Sequence, residues 1–234
     1  MSRLRSAVLG GLLLAAAPVI SGGAALAAPE DALRPVEKYT TVREKSLASA
    51  HRTRLLQFAA QIYNCLPWLA VYPGELGFRQ ARDNQGNDLY LSMWIWVDQR
   101  EDASFAALSQ QRRVSAMFSR YGVDMLRRMA ELSDVLDDRN VAGLSVVLSW
   151  LKPGTSRPGR QAVNETLALF VDKATAMDFL AKRVAPDEFA SRSQFTLFDG
   201  LDAVGRVPLE VWEDSFNSTY KVNSYDPPKG AQCQ

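Results

Sequence analysis

Histidine is nearly absent from this chain, and its scarcity excludes much catalytic chemistry. His51 is the only histidine among 234 residues, so a zinc site built from several imidazoles is impossible. A Ser-His-Asp triad would have to use His51, which lies at helical spacing between Leu47 and Leu55 on an apolar stripe. That position predicts a histidine packed on a helix rather than a catalytic base.

Glycine-rich motifs for nucleotides and for serine nucleophiles are also missing. The chain contains no G-x-G-x-x-G, no phosphate loop and no G-x-S-x-G elbow. Ser218 and Lys221 fit S-x-x-K, but close to the C-terminus and outside any helical pattern. We predict no metal and no cofactor. A hydrolase that uses two carboxylates needs no motif, so it stays open as an alternative.

Long apolar runs are scarce as well, and the run near the start is short. Residues 7–20 are apolar, whereas a membrane-spanning helix needs about 20 apolar residues. Arg3 and Arg5 precede this run, and residues 25–27 form an A-x-A cleavage pattern. We therefore predict that residues 1–27 are a secretory signal peptide. The mature protein would be periplasmic or secreted, with no membrane span after signal cleavage.

The charge of the predicted mature chain has no excess of either sign. Loss of Arg3 and Arg5 leaves 25 basic and 26 acidic side chains. This balance gives no indication of binding to nucleic acid or to an anionic membrane. Five arginines, Arg112, Arg113, Arg120, Arg127 and Arg128, crowd two successive predicted helices. We interpret them as a solvated helix face, with an anion site as the alternative.

Only two cysteines are present, Cys65 and Cys233. In the oxidising compartment that a signal peptide implies, an even pair predicts one disulfide. The bond would attach the Pro- and Gly-containing C-terminal tail to the end of a predicted helix. The alternative is a buried free Cys65 and an unattached Cys233. The 168 positions between them do not suggest a redox catalyst.

Apolar spacing predicts an alternation of helices and strands. Residues 44–66 have helical spacing and residues 89–97 alternate with period two. A turn is predicted at residues 73–74. The remaining predictions are a strand at 78–82, helices at 103–120 (ending at Gly122), 123–136 and 173–182, and strands at 142–151, 166–171, 194–198 and 207–212.

The order of elements in the first half is repeated in the second half. Val97-Asp98 and Val171-Asp172 each end an apolar strand and lead into a helix, at an offset of 74 residues. We predict an α+β fold of antiparallel β-hairpins packed with helices, with a possible tandem duplicated α-β-β-α unit. The predicted organisation is a signal peptide at 1–27, an extended lead-in at 28–43, a first unit at 44–122, a second unit plus strands at 123–213, and a C-terminal tail at 214–234.

Aromatic residues give the best candidate for a functional surface. Tyr90, Trp94 and Trp96 share one face of the alternating strand, opposite its aliphatic face. An exposed platform of this kind suits a sugar ring, an apolar ligand or a protein partner. The alternative is a strand buried on both faces. The sequence therefore favours an exported, non-catalytic binding or assembly factor for an unknown protein or an apolar or sugar ligand. The alternative is an exported hydrolase that works through carboxylates or a serine.

Overall fold

One six-stranded sheet with helices packed on one side forms the described part of the chain. The structure is a computed structural model that describes residues 28–81, 88–99, 102–155, 162–209, 216–220 and 233. The strands are β1 (Leu69–Arg79), β2 (Leu89–Val97), β3 (Val141–Leu151), β4 (Asn164–Asp172), β5 (Gln194–Asp199) and β6 (Asp202–Arg206). The helices are α1 (Pro29–Ala32), α2 (Val42–Cys65), α3 (Ala103–Ala106), α4 (Gln110–Met117), α5 (Val123–Ala130), α6 (Ser133–Leu136), α7 (Lys173–Leu180), α8 (Pro186–Arg192) and α9 (Phe216–Thr219).

The strands lie in the sheet in the same order as in the chain, from β1 to β6. Neighbouring strands are antiparallel except β2 and β3, which are parallel. Parallel neighbours need a crossover, and the helices from α3 to α6 supply it. The α+β fold and both predicted hairpins, β1–β2 and β3–β4, are thereby confirmed.

A single hydrophobic core joins the two halves of the chain. On β2 the side chains of Leu91, Met93 and Ile95 are fully buried, as period-two alternation requires. Helix α2 adds Leu55 and Phe58 to the same core cluster. Further members come from the crossover helices and from β3, β4 and β5. The helices therefore pack on the apolar face of the sheet.

Helix α2 has the clearest local signals in the chain. Thr41 is its N-cap. The Thr41 hydroxyl accepts a hydrogen bond from the backbone N–H of Glu44, and the Glu44 carboxylate accepts one from the backbone N–H of Thr41. This reciprocal capping box satisfies two backbone donors that a helix start leaves free. The helix ends at Cys65, one residue before the predicted end, and Pro67 follows it.

The turn predicted at Pro73-Gly74 is wrong. These residues lie within β1, where the pairing with β2 shifts register between Val71 and Leu76. An irregularity of this kind tolerates a proline inside a strand, because the missing N–H falls where the ladder is already interrupted. As a result β1 begins nine residues before the strand predicted at 78–82.

The helix end predicted at Gly122 is also wrong. A π-helical turn, Phe118–Gly122, connects α4 directly to α5. A Cβ atom at Gly122 would lie 2.4 Å from the Phe118 ring, so a side chain there would collide with that ring. The glycine allows close packing inside a continuous helix rather than ending it. The predicted helix at 103–120 is instead two helices, α3 and α4, separated at Leu108-Ser109.

The lead-in at 28–43 is not extended throughout. It contains α1 and a 3₁₀ turn, Val36–Lys38, and then runs along the edge of the sheet. Leu33 forms a parallel bridge with Leu76 of β1, and the Tyr39 hydroxyl accepts a hydrogen bond from the Phe78 N–H at 3.1 Å. Because β1 is an edge strand, this segment covers backbone groups that would otherwise be free to pair with another chain.

Some predictions fall wholly or partly outside the described residues. The signal peptide at 1–27 does so entirely, and the tail at 214–234 is described only at 216–220 and 233. Of the strand predicted at 207–212, residues 207–209 are irregular and the rest is not described; the sixth strand is β6. The duplication stays a prediction, although β2 shifted by 74 residues gives 163–171, one residue from the bounds of β4.

Candidate binding face

The open face of the sheet, defined here as the side opposite the helices, carries the three predicted aromatic residues. Tyr90, Trp94 and Trp96 lie together on it and are half-buried, whereas Leu91, Met93, Ile95 and Val97 between and beside them are fully buried. The rings are thus neither a fully exposed platform nor a second core layer. Their outer parts remain available for contact.

Neighbouring strands add further aromatic rings to the open face. The Tyr72 ring of β1 lies 4.7 Å from the Trp94 ring, measured between centroids. Phe170 of β4 meets Tyr90 edge-on at 5.4 Å, across the intervening β3. Tyr72 and Phe170 are not among the predicted aromatic residues, because strand pairing brings them to this face and no local sequence pattern encodes that pairing.

A hydrogen-bond network fixes the orientation of the rings. The Trp94 Nε1–H donates to the Ser149 Oγ at 2.8 Å, and the Ser149 and Thr166 hydroxyls are 2.7 Å apart. The Tyr72 hydroxyl also hydrogen bonds to Ser149, and burial raises the pKa of its phenol. The network crosses four strands, from β1 to β4. Because both polar groups bond to Ser149, the Trp94 Nε1–H and the Tyr72 hydroxyl are directed towards β3.

Charge is confined to the periphery of the open face. Among the described strand residues, alternation and register place four charged side chains there: Glu75 and Arg79 on β1, Asp172 at the end of β4 and Arg206 on β6. Arg79 forms an ion pair with Glu75, and the Asp172 carboxylate caps α7 by accepting from the Thr175 N–H at 2.8 Å. The centre of the face, on β2, β3 and β4, is aromatic, small or hydroxyl-bearing.

Two serines at the centre of the open face have hydroxyls without partners. Ser92 and Ser145 face each other across β2 and β3, with 1% and 0% of their surface exposed. Neither Oγ atom has a hydrogen-bond partner among the described residues. A buried hydroxyl left unpaired costs about 1–3 kcal/mol, so two adjacent ones need an explanation.

His51 is held by an acidic partner rather than poised beside a nucleophile. Its Nε2 lies 3.2 Å from the Asp138 Oδ2, and its ring packs 6.1 Å from that of Phe78. The Asn140 N–H, 2.8 Å from the other Asp138 oxygen, is the main cause that lowers the pKa of the Asp138 carboxyl. Within the described residues, no serine or threonine hydroxyl is hydrogen bonded to His51. The pair connects α2 to the loop before β3.

One of the five clustered arginines is buried, contrary to the predicted solvated face. The Arg113 guanidinium forms a bidentate ion pair with the fully buried Glu165 of β4. The same carboxylate accepts from the Trp150 Nε1–H at 2.9 Å. Both charges of the Arg113–Glu165 pair have partners, so the pair fixes the position of α4 on the sheet and offers no free group for chemistry.

The predicted disulfide between Cys65 and Cys233 is confirmed. Their Cα atoms are 5.5 Å apart, within the range that a disulfide bridges. The bond attaches the penultimate residue of the chain to the end of α2. The bond excludes the alternative interpretation, in which Cys65 is free and Cys233 is unattached.

Other predicted chemistry finds little support in the described residues. Ser218 lies in the four-residue helix α9, and Lys221, its S-x-x-K partner, is outside the described part. No group of three His, Cys, Asp or Glu side chains in the described ranges lies close enough to hold a metal ion. Each helix in those ranges is too short or too polar to cross a lipid bilayer.

Comparisons with known protein families, curated proteins and solved structures gave no match.

Proposed function

We propose that this protein is an exported, non-catalytic binding or assembly factor whose binding surface is the open face. The observation that carries the proposal is the position of Tyr90, Trp94 and Trp96, half-buried on the side of the sheet opposite the helices. Rings in this position combine apolar area with polar edges, as binding surfaces do. The hydrogen bonds around Ser149 hold two of the neighbouring rings in place before a ligand arrives.

Two further observations support an exported, non-catalytic role. A disulfide persists in the oxidising conditions outside the cytosol, which agrees with the signal peptide predicted at residues 1–27. Within the described residues His51 and Glu165, the most enzyme-like side chains, are occupied by structural partners. The alternative function is a hydrolase that works through carboxylates or a serine, and the screen described next distinguishes it from a binding factor.

A fragment screen tests the proposal with chemically diverse probes. A library of small neutral sugars, aliphatic compounds and aromatic compounds would be added to ¹⁵N-labelled mature protein, and backbone and indole NMR shifts would be mapped. We expect the perturbed signals to cluster on Trp94, Trp96 and their neighbours on β3. The buried Trp150 indole serves as the internal control and should not move. Hits clustered at His51 and Asp138, or none at the open face, would refute the proposal.

A further inference from the structure

We propose that the Ser92–Ser145 hydroxyl pair and the aromatic rings around it form a binding site for a neutral sugar. The inference rests on the proposed function, because it assigns a ligand class to the open face. It starts from the two buried hydroxyls, whose Oγ atoms have no partner among the described residues. Buried polar groups are almost always paired, so a ligand hydroxyl that reaches them would remove a cost already present.

Aromatic side chains surround the serine pair on several sides. Phe170 is the cross-strand neighbour of Ser145, and its ring meets that of Tyr90, two residues before Ser92. Trp94 stands two residues after Ser92 on the same face. On the β1 side the register pairs Gly77 with Ser92, and a Cβ atom at Gly77 would lie 2.1 Å from the Tyr39 hydroxyl. The Tyr39 hydroxyl therefore covers β1 beside the pair.

Two of the rings beside the pair are only partly buried. Tyr90 and Phe170 are half-buried, in contrast to Tyr39, which is buried. Binding at the serines requires both rings to rotate outwards, at the cost of their edge-on contact with each other. When these two rings turn outwards, the serine hydroxyls become accessible between them and Trp94. The rings then flank the entering ligand.

The chemistry of the face selects a neutral sugar over other ligands. Among the described strand residues, the charges of the open face lie at its periphery, where Arg79 is bonded to Glu75 and Asp172 caps α7. Arg34, on the β1 side, stacks on the Tyr39 ring, so a charged ligand finds no counter-charge on β2, β3 or β4 at the centre. A purely apolar ligand would leave both serine hydroxyls unpaired. A sugar ring offers hydroxyls for Ser92 and Ser145 and a C–H face that packs on Tyr90, Trp94 or Phe170.

Titration with defined oligosaccharides tests the inference. Maltohexaose and cellohexaose are the neutral probes, and an oligogalacturonate of the same length is the charged comparison, each added to about 10 mM and followed by NMR and calorimetry. We expect saturable binding of at least one neutral probe. Its effects should centre on residues 90–94 and 143–147, and the charged probe should not bind.

Serine variants separate the site from its surroundings. Ser92→Ala and Ser145→Ala should weaken neutral-sugar binding about three- to tenfold, the fold-change of one neutral hydrogen bond, without lowering the melting temperature. Ser149→Ala is the matched control on the same strand and face. It removes a hydroxyl with three partners and should lower the melting temperature.

Several results would overturn the sugar site. Absence of saturable binding by both neutral probes refutes it, as does equal binding of the charged probe. A clear fall in melting temperature for Ser145→Ala would show that its hydroxyl has a partner, which also refutes it. If neutral probes fail while other fragments still cluster on Trp94 and Trp96, only the sugar inference falls and the open face remains a binding surface for another ligand.

Discussion

Truncation of Trp94 gives the most direct measure of the open face. A fully buried tryptophan replaced by alanine costs about 3–5 kcal/mol, and Trp94 is half-buried, which halves this contribution. The lost Nε1–H hydrogen bond to Ser149 adds about 0.5–1.5 kcal/mol. Ser149 keeps Thr166 and Tyr72, so no hydroxyl is left unpaired. We expect Trp94→Ala to lower the free energy of unfolding by about 2–4 kcal/mol.

Two matched variants bracket this value. Trp150 is fully buried and its Nε1–H bonds to Glu165, so Trp150→Ala should cost more than about 4 kcal/mol. Leu201 is 97% exposed, so Leu201→Ala should change stability by no more than about 0.5 kcal/mol. The predicted order of destabilisation is therefore Leu201→Ala, then Trp94→Ala, then Trp150→Ala.

Urea unfolding followed by circular dichroism measures all three variants. With a slope of about 2–3 kcal/mol per molar urea, the midpoint for Trp94→Ala should fall by about 1–1.5 M. A cost as large as that for Trp150→Ala would place Trp94 in the core and remove it from the binding surface. A cost as small as that for Leu201→Ala would show that the Trp94–Ser149 bond does not form. Either result refutes the reasoning.

Three other predictions follow from local features. Cys233→Ser should lower the free energy of unfolding by up to about 5 kcal/mol, because the bond to Cys65 closes a loop of 168 positions. Two alkylatable thiols in the native, unreduced wild-type protein would contradict this bond. Asp138→Asn should destabilise the protein at neutral pH. Because the folded-state pKa of the Asp138 carboxyl is lowered, the difference in the free energy of unfolding between variant and wild type should shrink as the pH falls below about 4. Urea melts at several pH values measure this difference, and one that is independent of pH would contradict the prediction. N-terminal sequencing of exported protein should begin at Ala28, and a retained leader would contradict the predicted cleavage.

Strong local patterns accounted for the elements that sequence analysis predicted well. The strand at 89–97 was predicted with its observed bounds, because each second side chain is fully buried and the pattern is unbroken. Helix α2 was predicted within two residues because its apolar stripe is long. The disulfide followed from a count of two cysteines rather than from any pattern.

Predictions failed where distant contacts override local preference. Gly122 resembles a helix end, yet packing against Phe118 determines its role within a continuous helix. Pro73 resembles a turn residue, yet pairing with β2 holds it inside a strand. Likewise Arg113 has the sequence context of a solvated arginine, and only the folded position of Glu165, 52 residues away, explains its burial. Sequence spacing contains no information on such partners.

The aromatic surface was predicted in part for the same reason. Alternation along β2 placed Tyr90, Trp94 and Trp96 on one face, because period two is a local property. The residues that complete the surface, Tyr72 and Phe170, come from strands on either side of that pattern. The contribution of Phe170 depends on the parallel pairing of β2 with β3, which the predicted hairpins did not imply. That of Tyr72 depends on the irregular register of β1 against β2.

The strand order has a consequence for synthesis of the chain. Because β1 to β6 are neighbours in chain order, each strand finds its partner already present as it emerges, and the sheet can grow from one edge. The disulfide is different, since Cys65 emerges early and Cys233 is the penultimate residue. Until residue 233 has been added, Cys65 is the only cysteine among the residues already made, so any disulfide that it forms is with another molecule. The native bond can therefore form only after residue 233 has been added, and in an oxidising compartment other thiols compete for Cys65 until the two cysteines meet.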